Sequence, residues 1–296
     1  MTEFHADDYG LFLEQSKRIL ECFEHGVLNG TSIIANGPEL EECCNCLPME
    51  GIALAVHLNL LQGTCLAPKE KVPLLVDQKG NFSVSFIRLL AVSLFPSKKR
   101  EQYKQQIKTE YRAQIRRILP VLDSRGQPLR LDGHAHWHVL PVAFDALMEL
   151  VDEDDLQVRY IRLPDEPIGL YLRNFFGILP FPAINIVKAF LLKLLVSRNR
   201  KKWGSLLKKM ERMLFLGVML SGHFDYRRMS LLLPKAEALA EQKGMGLEIL
   251  AHPGSVSRAE DLARVTNKAD LHFFTDRGRA VEAGAFLRLG GMKGGK

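Results

Sequence analysis

The sequence predicts an α/β fold in which a parallel sheet closes into a barrel of seven or eight strands. Three observations carry that expectation. Short apolar runs alternate with helical patterns along all 296 residues, the arrangement that gives parallel sheets with helical crossovers. Several of the runs stop at ionisable residues beside a turn, and such barrels keep their chemistry at the carboxyl ends of strands. The segments that carry these residues run from one end of the chain to the other, so one domain over residues 1–296 is expected, with a helical, apolar and basic insertion at about 165–215.

The first strand is expected near residues 2–6 and is short, leading into Asp7-Asp8-Tyr9-Gly10, where two adjacent carboxylates sit beside a turn-permitting glycine. A helical pattern from Glu14 to His25 is stopped by Gly26. A second strand follows near 31–35 and a third near 52–58, where Leu54, Val56, Leu58 and Leu60 alternate onto one face while His57 and Asn59 share the other with two alanines. From about Lys98 to Leu119, Tyr103, Ile107, Tyr111, Ile115 and Ile118 recur at three- or four-residue spacing, predicting a long helix. Further strands are expected near 129–134, 158–163, 216–220, 247–251 and 271–274, with a helix from about Pro234 to Lys243 ending at Gly244. The run Leu247–Ala251 stops at His252-Pro253-Gly254, since proline cannot continue a ladder.

The most informative segment is Asp132-Gly133-His134-Ala135-His136-Trp137-His138. If it is extended, alternate residues point one way, so Asp132, His134, His136 and His138 share a face, and imidazoles at that spacing can reach a single cation. Together with Asp7-Asp8, His57 and His252 they supply what a hydrolytic metal centre needs: two or three ligands, and separate groups to take and give protons. Residue types alone leave the assignment open. His136 is as good a ligand as His134, and either aspartate of the pair can be the base.

The order HADDYG, VHLNL, DGHAHWH, AHPG resembles the YdjC-like carbohydrate deacetylases, relatives of the diacetylchitobiose deacetylase type. Gly26-Val27-Leu28-Asn29-Gly30-Thr31-Ser32 with Ala35-Asn36-Gly37, and Arg159-Tyr160-Ile161-Arg162-Leu163-Pro164, resemble intervening segments of that family. The resemblance covers residue 4 to about 165 and resumes near 245. It implies a distorted TIM-like (β/α) barrel that removes an N-acetyl group from an amino sugar, glycolipid or oligosaccharide. It also implies that Asp8, His57 and His134 hold one divalent metal ion, that Asp7 is the general base, and that His252 is the general acid. Asn59, His136, His138 and Arg162 remain as substrate-contacting or ligand-supporting residues. Two imidazoles favour zinc or another transition metal, while the carboxylate and an open site accept magnesium.

The formal charge of +6 and pI near 9.0 do not point to nucleic acid, because much of the excess falls in Arg198-Asn199-Arg200-Lys201-Lys202 and Lys208-Lys209 rather than along a groove. That basic run follows an apolar stretch from Asn174 to Leu192, too short and too interrupted by proline and glycine to span a bilayer, which takes about 20 apolar residues. A helical hairpin over the active site, a surface resting on lipid headgroups, or an ordinary buried helix followed by a solvated basic turn each fit it. Some members of the resembled family are associated with hopanoid lipid pathways, which a lipid-facing surface would suit.

The acid-rich start lacks a secretory pattern, so a cytoplasmic, or membrane-peripheral, location is expected. The five cysteines, Cys22, Cys43, Cys44, Cys46 and Cys65, show no disulfide framework. The expected partners are an acetylated amino-sugar substrate, a peripheral membrane contact and no nucleic acid, with a homodimer left open. Two other readings compete: a metal-dependent phosphoesterase, and a non-catalytic barrel that binds a membrane or partner.

Overall fold

The computed structural model describes residues 1–180, 182–263, 265 and 268–293. Phe181, part of the apolar run of the insertion, lies outside the described residues. Along the chain the elements are β1 Thr2–Tyr9, α1 Leu13–Glu24, β2 Gly30–Ile34, α2 Leu40–Cys46, β3 Ala53–Leu58, α3 Phe86–Leu94, α4 Lys98–Asp123, β4 Leu129–Gly133, α5 Pro141–Glu153 and β5 Val158–Ile161. They continue with α6 Ile168–Arg173, α7 Phe175–Ile178, α8 Ala183–Leu207, β6 Met213–Leu216, α9 Tyr226–Gln242, β7 Gly246–Ala251, α10 Ala259–Leu262, α11 Lys268–Thr275 and α12 Gly278–Lys293.

The strands pair in parallel in the order β5-β4-β3-β2-β1-β7-β6, a curled half-barrel flanked by helices. Its two edges approach each other, since the Glu211 N–H just before β6 donates to the Arg159 carbonyl in β5 at 2.8 Å. This agrees with the expected distorted barrel. The period of two along each strand sorts its side chains. In β1, Phe4 points outward and packs edge-on against Phe286 of α12, with ring centroids 5.6 Å apart. Glu3, His5 and Asp7 point the other way. They meet Arg130 and Asp132 of β4, Tyr160 and Arg162 at β5, and Glu248 of β7 in a buried, ion-paired interior.

Several expectations are corrected. The first strand is the longest of the seven described, eight residues, and carries both aspartates to its end. Residues 271–274 belong to helix α11, so the aromatic pair Phe273-Phe274 packs as helix side chains rather than as an eighth strand. The strand expected at 216–220 ends at Leu216. Beyond it the N–H groups of Gly217, Val218 and Met219 all donate to the Glu166 carboxylate, which removes them from any ladder. Helix α9 starts eight residues before Pro234, capped by Asp225, whose carboxylate accepts the Arg228 N–H at 2.8 Å.

The basic run after the apolar stretch is not a turn but the second half of α8. Arg198 and Lys202 pair with the buried Asp145 of α5, and Trp203 Nε1 donates to the same carboxylate at 2.7 Å. Lys193 and Arg200 pair with Asp165. Four of these cations therefore fasten α8 to its neighbours instead of facing solvent freely. No described helix is long and apolar enough to cross a membrane.

Candidate metal centre and catalytic cavity

The end of β1 carries the two adjacent aspartates. Asp8 sits at φ +71°, a left-handed conformation that costs a non-glycine residue energy and is held only where the surroundings fix it. The twist breaks the period of two, so that Asp7 and Asp8, though adjacent, both reach the same cavity. Gly10 follows at φ +89°, a value that glycine adopts without strain, and turns the chain toward α1.

Asp8 Oδ1 lies 2.8 Å from His134 Nδ1 and 3.4 Å from His57 Nε2. The ligand atoms of these three buried residues lie within 4.8 Å of one another, a set that could hold a metal ion. His57 is aimed by its other nitrogen: Nδ1 is 2.6 Å from Asp132 Oδ1, which leaves the buried Nε2 without a hydrogen-bond partner and facing Asp8. That carboxylate–imidazole pairing is how metal-ligating histidines are usually oriented. Two further groups, Glu3/His5/Glu248 and His5/Asp7/Asp132, are close enough to be considered. In each of those both carboxylates are held by Arg130 or Arg162, whereas Asp8 meets Arg279 through Oδ2 and keeps Oδ1 toward the two imidazoles.

Charge supports the same location. Among the described residues, the linked set of five carboxylates, Glu3, Asp7, Asp8, Asp132 and Glu248, is paired with three guanidiniums, Arg130, Arg162 and Arg279, an excess of two negative charges before the histidines are counted. Burial works to lower the pKa of His57 and is the largest single influence, but Asp7, Asp132 and Asp8 push it up to about 10. Burial would raise the Asp8 carboxyl; His134, His57 and Arg279 instead hold it well below the usual carboxylate range. Glu3 is likewise held at about 2, against burial, by His5 and Arg130. A cavity this rich in fixed anions attracts a cation.

Asp7 is gripped by Arg162, whose Nη1 donates to both carboxylate oxygens at 2.8 Å. The same guanidinium holds Glu248 through Nε at 2.8 Å and lies 3.0 Å from Asp132. Arg162 is wholly buried and does not line the cavity, so its place is behind the site rather than against a substrate. His252 enters from the end of β7, its backbone N–H donating to Glu282 at 2.7 Å and its ring set edge-on against Phe273. Asp7, Asp8, His57, His134 and His252 thus line one cavity of about 450 Å3, with Lys188 and Leu191 of α8, Phe86 of α3 and Trp137 around them.

The histidine triplet does not form an extended strand. β4 ends at Gly133, and His134–Val139 form a 3-10 turn with Ala135 and His136 at positive φ. The three imidazoles therefore diverge. Only His134 reaches Asp8, while Asp132 stands behind His57. His136 lines the cavity wall against Phe215, and burial, aided by Arg162, keeps its imidazole well below the ordinary value. His138 Nε2–H donates to the Arg162 carbonyl at 2.8 Å, and burial lowers its pKa to about 4. Asn59 does not reach the cavity: its side chain bonds Asn36 and the backbone of Leu61 and Gln62, shaping the loop that brings Gln62 toward His134.

Two residues escape sequence reasoning entirely. Arg279 of α12 binds the second oxygen of Asp8 at 3.2 Å, and Glu282 of the same helix anchors the turn that carries His252. They sit in an alanine- and glycine-rich helix with no motif around them.

The family model described as YdjC-like protein matches residues 3–286. The chain belongs to the YdjC-like family. Among its curated relatives, a carbohydrate deacetylase of Thermoanaerobacter pseudethanolicus is 30% identical over 166 residues, 55% of this chain and 61% of the relative. A chitooligosaccharide deacetylase of Proteus mirabilis is 29% identical over 163 residues, 54% of this chain and 58% of the relative. These alignments span a little over half the length of each relative. A crystal structure from Enterococcus faecalis, described as a candidate cellobiose-phosphate cleavage protein, superposes with a TM-score of 0.62 at 18% identity, covering 97% of this chain and 90% of the other. That likeness concerns the fold. Within this YdjC-like chain, the unpartnered His57 Nε2, the two-imidazole and one-carboxylate donor set and the surplus of two negative charges fit a single divalent cation.

Proposed function

We propose that this YdjC-like chain is a metal-dependent hydrolase that removes an N-acetyl group from an amino sugar carried on an oligosaccharide or glycolipid. The observation that carries the reading is the meeting, in one cavity, of the Asp8/His57/His134 donor set with an Arg162-held carboxylate on one side and His252 on another. The names of the curated relatives, carbohydrate and chitooligosaccharide deacetylases, point the same way.

A divalent cation, zinc or magnesium, held by Asp8, His57 and His134 would polarise the acetyl carbonyl and make water easier to deprotonate. Asp7, aimed by Arg162, takes the proton from the attacking water. His252 delivers a proton to the sugar nitrogen as the C–N bond breaks, so that acetate and a free amine leave. Asp132 fixes the His57 ring and Arg279 occupies the second oxygen of Asp8, leaving Oδ1 toward the imidazoles. A second cavity of about 1080 Å3 shares Leu61, Phe86 and Trp137 with the first and is lined by Asn36, Gln62 and Asn81, giving room for further sugar units.

The test is acetate release from a panel of N-acetylated amino sugars, free and lipid-linked, using chelated protein and protein restored with zinc or magnesium. Metal-dependent acetate release is expected. Release of phosphate from phosphate esters, with no acetate, would make the chain a phosphoesterase, and inertness toward every substrate with any metal would favour a binding barrel.

A further inference from the structure

Outside the cavity, the feature that stands apart is a set of large apolar side chains on α6, α7 and α8 that the described residues leave exposed. Leu172 of α6, Phe176 of α7, and Ile184, Val187, Phe190 and Leu194 of α8 are all more than half exposed, Phe176 as much as 90%. The three- and four-residue spacing along α8 sets its four residues in one stripe. Lys188 and Leu191, beside that stripe, line the catalytic cavity. Across the cavity, α3 supplies Phe86 to the lining, and its neighbours Ile87, Leu94 and Phe95 are exposed as well. Soluble monomers rarely expose a stripe of four large apolar side chains on one helix with two more on the short helices just before it, and such exposed apolar residues mark contact with a partner or a membrane.

Charge selects the occupant. From Pro167 to Met210 there are nine lysines and arginines and no aspartate or glutamate, and from Gln78 to Arg100 there are five and none. Arg173 and Lys188, set among the exposed apolar residues, have no carboxylate partner among the described residues, whereas Arg198, Arg200 and Lys202 farther along α8 are already paired. A second copy of the chain would bring like charges together across this face. Anionic headgroups would neutralise them while the apolar stripe enters the acyl boundary.

We propose that the α6–α8 face docks on the surface of an anionic lipid bilayer, peripherally, so that the mouth of the catalytic cavity faces the membrane. Docking does not depend on hydrolysis; that it delivers a lipid-borne amino sugar to Asp7 and His252 rests on the deacetylase reading.

Co-sedimentation with phosphatidylcholine vesicles, with and without phosphatidylglycerol, tests it. Wild-type protein and Asp7→Asn both bind the anionic vesicles at low salt, and binding weakens as salt rises, because exposed charges are screened within about 10 Å at 0.1 M. The triple variant Phe176→Ser, Val187→Ser, Phe190→Ser, with its fold checked by circular dichroism, binds at least about tenfold more weakly and still hydrolyses small soluble substrates. If wild type ignores anionic vesicles at low salt, or the folded triple variant binds them as well as wild type, the proposal falls. A concentration-dependent dimer in sedimentation velocity that the triple variant abolishes would also overturn it, because a second copy would then own the face. Vesicle binding without acetate release refutes the deacetylase reading alone, and acetate release without vesicle binding refutes the docking alone.

Discussion

Arg162 holds both carboxylate oxygens of Asp7 at 2.8 Å from a fully buried position. The guanidinium reaches Asp132 and Glu248 at the same time, so one cation fixes the proposed base, the residue that aims His57, and the interior of β7. Its own pKa is moved first downward by burial, and the three carboxylates more than reverse that.

Arg162→Met should therefore destabilise the fold by about 3–5 kcal/mol, because three buried carboxylates lose their counter-charge. Arg162→Lys should recover part of that stability, since a single ammonium keeps the charge without the planar fork. Urea denaturation of the three proteins checks both statements, and equal stability of all three would remove Arg162 from the centre of this network.

The ligand assignment separates His134 from His136. Replacing His57 or His134 by alanine should abolish stoichiometric zinc, whereas His136→Ala should retain it, because among the described histidines it is His57 and His134 that pair with Asp8. Elemental analysis after dialysis reads the difference. A full complement of metal in His134→Ala would transfer the role to His136.

Much of this site was legible because strand ends are readable. Asp7, Asp8 and His252 each close an apolar run and His57 lies one residue from the end of β3, and the structure brings all four to one cavity. The triplet was not, since Gly133 ends the strand and two left-handed residues turn the imidazoles apart, which a period of two cannot anticipate. The polar barrel interior escaped as well. Glu3-x-His5-x-Asp7, Arg130-x-Asp132 and Tyr160-x-Arg162 alternate with apolar residues as a solvated face would, and only their opposite charges at matching strand positions signalled that they face each other. The aromatic run His272-Phe273-Phe274 resembled a strand, but it lies in α11. Arg279 and Glu282 carried no local signal, because their partners Asp8 and His252 are distant in sequence.

Asp145 should make stability depend on acid. Burial would raise its carboxyl, but Arg198, Trp203 and Lys202 hold it well below the usual value. A folded-state pKa below the unfolded value stabilises the protein fully above about pH 4, and that contribution is lost as pH falls through the folded value. Asp145→Asn should cost about 2–3 kcal/mol at pH 7, less than a fully buried pair because Arg198 and Lys202 are partly exposed. The variant should also lose less stability than wild type between pH 5 and pH 2 by thermal unfolding. Parallel acid profiles for the two proteins would contradict the assignment.

The central claim is that neighbouring aspartates divide the labour, Asp8 holding the cation and Asp7 moving the proton. Metal content and acetate release, measured on the same preparations of Asp7→Asn and Asp8→Ala, test it most directly. Asp7→Asn should keep its metal while turnover falls by roughly 10²–10⁴-fold, and Asp8→Ala should lose metal and turnover together. Loss of metal in Asp7→Asn with retention in Asp8→Ala would contradict the account and reverse the two roles.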